Sequence, residues 1–406
     1  MTFSPVKYAA EGDQNLVMQK NNSQKRKIIK CLFLYGSMSN TEITRYVKVS
    51  TPKIISLLNE LKSEGLIEEL GQGNSSGGRR PTIYGNREDA FYIVSISINR
   101  YKTSVTIFNA KNQKIIQERV LPLNISPGTS NIDSIVEFTQ SIILESKIPR
   151  GKILGIGIEM PGLVDSQTGI NKTYMISDLP VGELFSQRFG MPVLIENDAK
   201  TRAFAELRFG AARSRRNVLA IHIDWGIGMG IIVNGKLYKG RDGFAGELGH
   251  LPMIDNGIMC NCGKQGCLET IASGTALARM VIDEMKAGRS SLLGQLVDED
   301  LEKIEIRKVV QAAIMGDQYS ISILANAGHW LGKGLAYLIQ LFNPELIILG
   351  GRMAEAHQFI LPSIQHSIHI YCNPELANNI EIKVSELGRQ AGTEGVAALL
   401  LEHILD

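Results

Sequence analysis

Three cysteines, Cys260, Cys262 and Cys267, fall within eight residues, and His250 stands ten positions before the first of them. Thiolates joined by an imidazole are the donor set that zinc takes in a closed tetrahedron, so this Cys₃His group is read as a structural zinc site with no position left for water. Such a site can contribute on the order of 10 kcal/mol to local folding. Reduced thiols without metal are the competing reading. Cys31 and Cys372 stand alone, and five cysteines so distributed do not make a disulfide framework. His222, His329 and the other histidines have no such neighbours and read as ordinary surface or core residues.

A second group carries carboxylates and amides. Asn197 and Asp198 follow the apolar run Pro192 to Ile195 and precede a helical pattern from Ala199 to Phe209. That places Asp198 at the carboxyl end of a strand, where α/β proteins bind ligands. Taken alone, Asn197-Asp198 also suits a helix N-cap. Gly226, Gly228 and Gly230 form a turn whose backbone could approach a phosphate closely, although glycines in a hairpin are often only turn formers.

The elements needed to position these groups show an internal duplication. One strand-turn-strand pattern runs from Phe91 through Ser97 to Lys102, then Thr103 to Phe108 and Lys114 to Val120. A second runs from Val218 to Ile223, through Asp224 to Gly230, then Ile231 to Val233 and Lys236 to Tyr238. Two related α/β lobes are expected, with their turns facing one another across a cleft, as in an actin-like (ribonuclease H-like) fold. The second turn keeps its glycines, whereas the first reads Asn99-Arg100-Tyr101 with two bulky side chains.

Ahead of this body, over residues 1–87, the pattern is different. Ile28, Ile29, Leu32, Phe33 and Tyr35 make one helical face from Gln24, stopped by Gly36. Ser39 and Glu42 have capping-box spacing for a second helix. Thr51 as N-cap and Pro52 as first helical residue predict a third, with Ile54, Leu58 and Leu61 inward and Gly65 as its stop. Leu66 to Leu70 and Thr82 to Tyr84 then read as two strands of a wing around the loop Gly71 to Gly78. A winged helix-turn-helix would lay the third helix in a major groove, with Ser50, Thr51, Lys53 and Ser56 reaching bases or phosphates. A small protein-interaction domain of three helices is the alternative. Arg79 and Arg80, on a backbone stiffened by Pro81, suit a narrow A·T-rich minor groove, or else a basic linker.

Charge follows the same division. Residues 1–87 carry 13 Lys/Arg against 7 Asp/Glu, and the remainder 30 against 34. A basic head on a slightly acidic body suits a nucleic-acid-binding module attached to something else, although a solvated basic face has the same signature. At 406 residues and 44% hydrophobic the chain exceeds one compact core. It has no run of about eighteen apolar residues and no apolar leader, so a cytoplasmic protein is expected.

At Pro161-Gly162, Glu196 to Ala199, Glu247 to His250, Cys260 to Glu269 and Asn343 to Gly351 the chain resembles the ROK family of repressors and sugar kinases, over nearly all of residues 24–406. The cysteine motif is the most specific of these. The resemblance implies a sugar-kinase-like body over 88–406 with its zinc loop near 250–267. It also implies a sugar site lined by Gly162, Asn197, Asp198, Glu247, His250 and Glu269, with Asp198 the general base in kinase members. Kinase members carry Asp-x-Gly-Gly-Thr in the first lobe, and here Ser97, Asn99, Arg100 and Tyr101 replace it. Trp225 stands where kinases usually have threonine. Phosphoryl transfer depends on such positioning, so a degenerate kinase is expected, without catalytic residues and with Asp198 as a vestigial base. The expected protein is a transcriptional regulator, most simply a repressor of sugar-metabolism genes, induced by a sugar or sugar phosphate. It would bind a double-stranded DNA operator as a homodimer or homotetramer. A DNA-binding protein that still phosphorylates its sugar is the alternative.

Overall fold

A computed structural model describes residues 16–73, 80–297 and 300–406. The chain divides into two compact units, one running to Thr201 and including Gly392–Asp406, the other Arg202–Ala391.

The first unit opens with the head. Helix α1 (Leu16–Tyr35) is followed by strand β1 (Met38–Ser39), α2 (Asn40–Val47) and α3 (Thr51–Ser63), then β2 (Ile67–Gln72) and β3 (Thr82–Asn86). The sheet order β1-β3-β2 makes the wing an antiparallel hairpin. Local chemistry sets these boundaries. Ser39 accepts from the Glu42 N–H while Glu42 accepts from the Ser39 N–H, so the capping box forms as expected. Lys48 ends α2 in the left-handed region at φ 60°. Two boundaries differ from the sequence reading. The N-cap of α3 is Ser50, not Thr51, so Pro52 lies one position deeper in the first turn, where its missing N–H still costs nothing. And α1 is already helical at Leu16 rather than from near Gln24: the polar run Gln19 to Lys27 separates Leu16-Val17-Met18 from the apolar face that starts at Ile28.

The head is anchored to the lobe that follows. Asn86 is 2% exposed and its Nδ2 donates to the carbonyls of Ile29 (3.1 Å) and Ala110 (3.0 Å), linking α1 to the first lobe. Phe33 stacks on Phe91 with ring centroids 6.2 Å apart, and Lys30 pairs with Asp406.

That lobe is a five-stranded sheet in the order β10-β7-β4-β5-β6: β4 (Tyr92–Ile98), β5 (Lys102–Asn109), β6 (Arg119–Pro122), β7 (Ile153–Met160) and β10 (Val193–Asn197). A small hairpin, β8 (Val164–Asp165) and β9 (Ile170–Asn171), stands apart from it. Helices α4 (Ile132–Glu145), α5 (Val181–Phe189) and the C-terminal α14 (Ala391–Leu405) complete the lobe, and α6 (Asp198–Arg208) starts in it and continues past Thr201, where the second unit begins. The third strand of the duplicated pattern starts at Arg119 rather than Lys114, which makes only an isolated bridge with Phe108.

The second unit repeats this plan. Strands β11 (Val218–Ile223), β12 (Ile227–Val233), β13 (Lys236–Tyr238), β14 (Leu346–Gly350) and β15 (Glu381–Val384) run in the order β13-β12-β11-β14-β15. Three antiparallel strands lead into two parallel ones in both sheets, so the duplication seen in the turns extends to topology. The sheet packs on α7 (Glu269–Ala272), α8 (Gly274–Lys286), α9 (Leu293–Leu296), α10 (Ile306–Ile314), α11 (Gln318–Phe342), α12 (His357–Tyr371) and α13 (Pro374–Ala377) around one apolar core. Among the described residues no helix is long and apolar enough to cross a membrane.

Candidate functional site

The four metal-type donors come together. His250 ends a short 3₁₀ turn, Leu248–His250, and the three cysteines follow on a loop held by the bridges Pro252 with Cys267 and Met259 with Gln265. One ligand atom from each of His250, Cys260, Cys262 and Cys267 lies within 4.8 Å of all the others. Cys260 Sγ is 3.5 Å from His250 Nδ1, and Cys262 Sγ is 3.6 Å from Cys267 Sγ. A zinc tetrahedron with Zn–S near 2.3 Å and Zn–N near 2.0 to 2.1 Å has edges of about 3.5 to 3.8 Å, so the donors already stand close to coordinating positions. Burial, with the hydrogen bonds its thiol makes to the Cys262 and Cys260 sulfurs, pushes Cys267 up to about 12. A cation at the centre is what would stabilise that thiolate. The donor set therefore fits zinc, which would hold the loop that follows Glu247 and leads into Glu269.

In the first unit, the strand-end amide is already at work. Asn197 Oδ1 accepts from the Lys200 N–H (3.1 Å), which caps α6, and Nδ2 donates to the Gly162 carbonyl (3.0 Å). Asn197 is thus the helix cap that the sequence allowed, and its other end fixes Gly162. Gly162 adopts φ 99°, and a Cβ there would come within 2.8 Å of Thr173 Cβ, so only glycine suits the position. Asp198 is the first residue of α6 and accepts from the Ala199 N–H at 2.8 Å.

The turn after β4 is closed on itself. Asn99 Oδ1 accepts from the N–H groups of both Tyr101 and Lys102 at 3.0 Å, and the Asn99 N–H bonds the Lys102 carbonyl at 2.9 Å. Ser97 Oγ donates to Glu159 Oε1 at 2.5 Å across the paired strands β4 and β7. Glu159 and its register partner Glu196 on β10 are each 1% exposed, and the sequence reading passed over Glu159. Its only signal was a carboxylate set inside the apolar run Ile153 to Met160.

In the second unit, Glu269 Oε2 accepts from the Ile227 N–H at 3.1 Å, so one amide of the glycine turn is bound to the protein's own carboxylate. A Cβ on Gly226 would stand 2.6 Å from that oxygen. Glu247 Oε2 is 3.9 Å from His250 Nε2. Arg352, directly after Gly350-Gly351, lies with its guanidinium carbon 4.9 Å from the Trp225 ring centroid. Its Nε is 3.3 Å from Asp224 Oδ1 and its Nη1 3.6 Å from Glu305 Oε2. His222 Nε2 is 3.9 Å from Asp224 Oδ2. Burial, then the charges of Arg202 and Arg352, hold the His222 imidazole well below 6.5. Arg352, Glu305 and His222 were not anticipated as members of this group.

On the head, α3 buries Ile54, Leu57, Leu58 and Leu61 and turns Thr51, Pro52, Ile55, Ser56, Asn59 and Lys62 outward. Ser50, Thr51, Lys53 and Ser56 thus stand at or near the exposed N-terminal half of that helix, and the Ser50 side chain makes no capping bond. Ser56 Oγ donates to Glu60 Oε1 at 3.2 Å, and Glu60 pairs with Lys25 at 3.0 Å. Arg80 is exposed in the connection between β2 and β3, where the Gly73 N–H bonds the Pro81 carbonyl at 2.8 Å, so it belongs to the wing. Arg79 lies outside the described residues.

Known proteins share both parts of this architecture. The sequence profile of the ROK family matches residues 93–403. The xylose repressor of Bacillus spizizenii is 30% identical over 396 residues, 97% of this chain and 98% of the repressor. The crystal structure of a ROK family transcriptional regulator, a homologue of the Escherichia coli Mlc protein, superposes with a TM-score of 0.79 at 26% identity, covering 95% of this chain and 97% of that one. A ROK family glucokinase from Streptomyces griseus, in complex with glucose and AMPPNP, gives 0.67 at 28% identity over 76% of this chain and 98% of its own. The fold is the actin-like, two-lobed sugar-kinase fold with an added N-terminal region. The chain belongs to the ROK family, on its transcriptional-regulator branch.

Proposed function

We propose that the chain is a repressor of sugar-metabolism genes that binds operator DNA through its winged helix-turn-helix and a sugar or sugar phosphate through its kinase-like body, without phosphorylating that sugar. The observation that carries this reading is the span of the likeness. The xylose repressor matches 97% of the chain, head included, whereas the glucokinase covers 76%. The division of labour follows residues 1–87 for DNA and 88–406 for the sugar.

Ser50, Thr51, Lys53 and Ser56 at the start of α3, Arg80 in the wing, and Arg79 contact DNA; Gly162, Asn197, Asp198, Glu247, His250 and Glu269 supply the amide, carboxylate and imidazole groups that sugar hydroxyls need. Zinc on His250, Cys260, Cys262 and Cys267 is structural. A homodimer or homotetramer reads a two-fold symmetric site in the cytoplasm. Loss of phosphoryl transfer is supported by two turns whose amides are engaged internally, the first by Asn99 and the second by Glu269, and by the Trp225-Arg352 pair beside the second. Asp198 at its strand end favours one other reading, a DNA-binding protein that still phosphorylates its sugar.

The test is operator affinity with and without each member of a panel of pentoses, hexoses, N-acetylhexosamines and their phosphates. A cognate sugar is expected to lower operator affinity five- to hundred-fold, and operator DNA to weaken sugar binding equally. Sugar binding that leaves operator affinity unchanged would refute induction.

A further inference from the structure

The exposed face of α3 carries two further side chains, Ile55 and Asn59, beyond the residues at its N-terminal end. Ile55 is 43% exposed in the second turn of the helix, opposite the fully buried Ile54, Leu57, Leu58 and Leu61. Asn59 follows it by four residues on the same exposed face. The polar neighbour between them is engaged: Ser56 donates to Glu60, and Glu60 is drawn to Lys25, whose side chain is only 8% exposed. Beside Ser56, the middle of the face that a recognition helix presents to the major groove adds one branched apolar group and one amide.

Each has a natural counterpart on a base edge. In the major groove the only apolar feature is the thymine C5-methyl, and an asparagine amide matches the adenine pair of N6 donor and N7 acceptor. Four residues of α-helix advance about 6 Å, under two base-pair steps of about 3.4 Å. We infer that Ile55 and Asn59 are specificity-determining residues that together read A·T pairs within one half-site, Ile55 against a thymine methyl and Asn59 against an adenine edge. This rests on the DNA-binding reading above and assigns to that helix what it selects.

The full-length protein is used to enrich binding sites from a pool of random duplexes of about thirty base pairs, three helical turns. In the enriched site each thymine is then replaced singly by deoxyuridine, which lacks only the methyl, and each adenine by 7-deazaadenine, which lacks only N7. Wild type is expected to lose roughly fivefold or more in affinity at one deoxyuridine position per half-site. Ile55→Ala should bind the unmodified site more weakly by a similar factor and be indifferent to deoxyuridine there. Asn59→Ala should likewise lose its response to 7-deazaadenine at a neighbouring position while keeping the response to deoxyuridine. Both positions are exposed, and unchanged thermal melting of each variant checks that the fold survives. If Ile55→Ala stays as sensitive to deoxyuridine as wild type, or wild type responds to no deoxyuridine at all, the assignment fails while DNA binding stands. If no duplex is enriched, the DNA-binding reading fails and takes this one with it.

Discussion

Arg352 lies over the indole of Trp225, 4.9 Å from the ring centroid, while its Nε stands 3.3 Å from Asp224, the residue that opens the second glycine turn. The pair places a cation and a large ring at the turn where a phosphate-binding loop needs bare backbone. Incubation with ATP, Mg²⁺ and a hexose panel is therefore expected to yield no sugar phosphate above the blank. Product that disappears in Asp198→Asn would overturn this. Arg352→Ala should cost on the order of 1 to 3 kcal/mol of stability, because Asp224 and Glu305 both lose a partly buried ion-pair partner. Urea unfolding of the variant measures that.

Purified without chelator, the protein is expected to hold about one zinc per chain, since His250, Cys260, Cys262 and Cys267 close a tetrahedral shell. Cys262 is the exposed member, so Cys262→Ser opens no core cavity, and its effect reports the metal. The variant should lose zinc and melt at lower temperature, and chelation of the wild type should reproduce the shift. Metal analysis that finds no zinc in wild type would refute the assignment.

Much of this arrangement was legible in the sequence because it depends on local chemistry. The Ser39-Glu42 capping box and the Cys260-Cys262-Cys267 spacing each act within a few residues and appear in the structure where the spacing placed them, and the start of α3 at Thr51-Pro52 is displaced by only one position, with Ser50 as its N-cap. What the sequence hid depends on register between distant strands. Ser97 meets Glu159 across 62 residues only because β4 and β7 pair with those two positions opposed, and no periodicity along either strand encodes the offset. Arg352 reaches Trp225 for the same kind of reason, through the parallel pairing of β14 with β11. The first turns of α1 carry no legible signal because the polar run Gln19 to Lys27 interrupts the apolar periodicity between Leu16-Val17-Met18 and Ile28.

Arg80 is exposed in the wing, and an arginine there acts chiefly on phosphate and groove potential. Arg79→Ala with Arg80→Ala should weaken operator binding and lower the slope of log affinity against log salt by about 1 for each phosphate that the pair neutralises. The fold should be unaffected, since Arg80 makes no structural ion pair among the described residues. Affinities measured across a salt series supply the slope, and an unchanged slope would remove these arginines from the interface.

His222 supplies a pH dependence whose sign follows from its surroundings. Burial lowers its pKa first, and the positive charges of Arg202 and Arg352 lower it further, so the imidazole is neutral in the folded protein well below 6.5. In the unfolded chain it takes a proton near the ordinary value of about 6.5. Between those two values the unfolded state binds more protons, and stability rises with pH wherever that holds. The contribution of His222 is therefore complete above about 6.5 and is lost as pH falls from there toward the folded value, with a slope of at most about 1.4 kcal/mol per pH unit for one group. Urea unfolding at pH 5 to 7 is expected to show wild type losing stability on acidification. His222→Gln, whose amide does not titrate, should start lower at pH 7 but fall less steeply. The difference between the two slopes isolates His222 from the other histidines, and equal slopes would show that its imidazole is not held neutral beside Arg352.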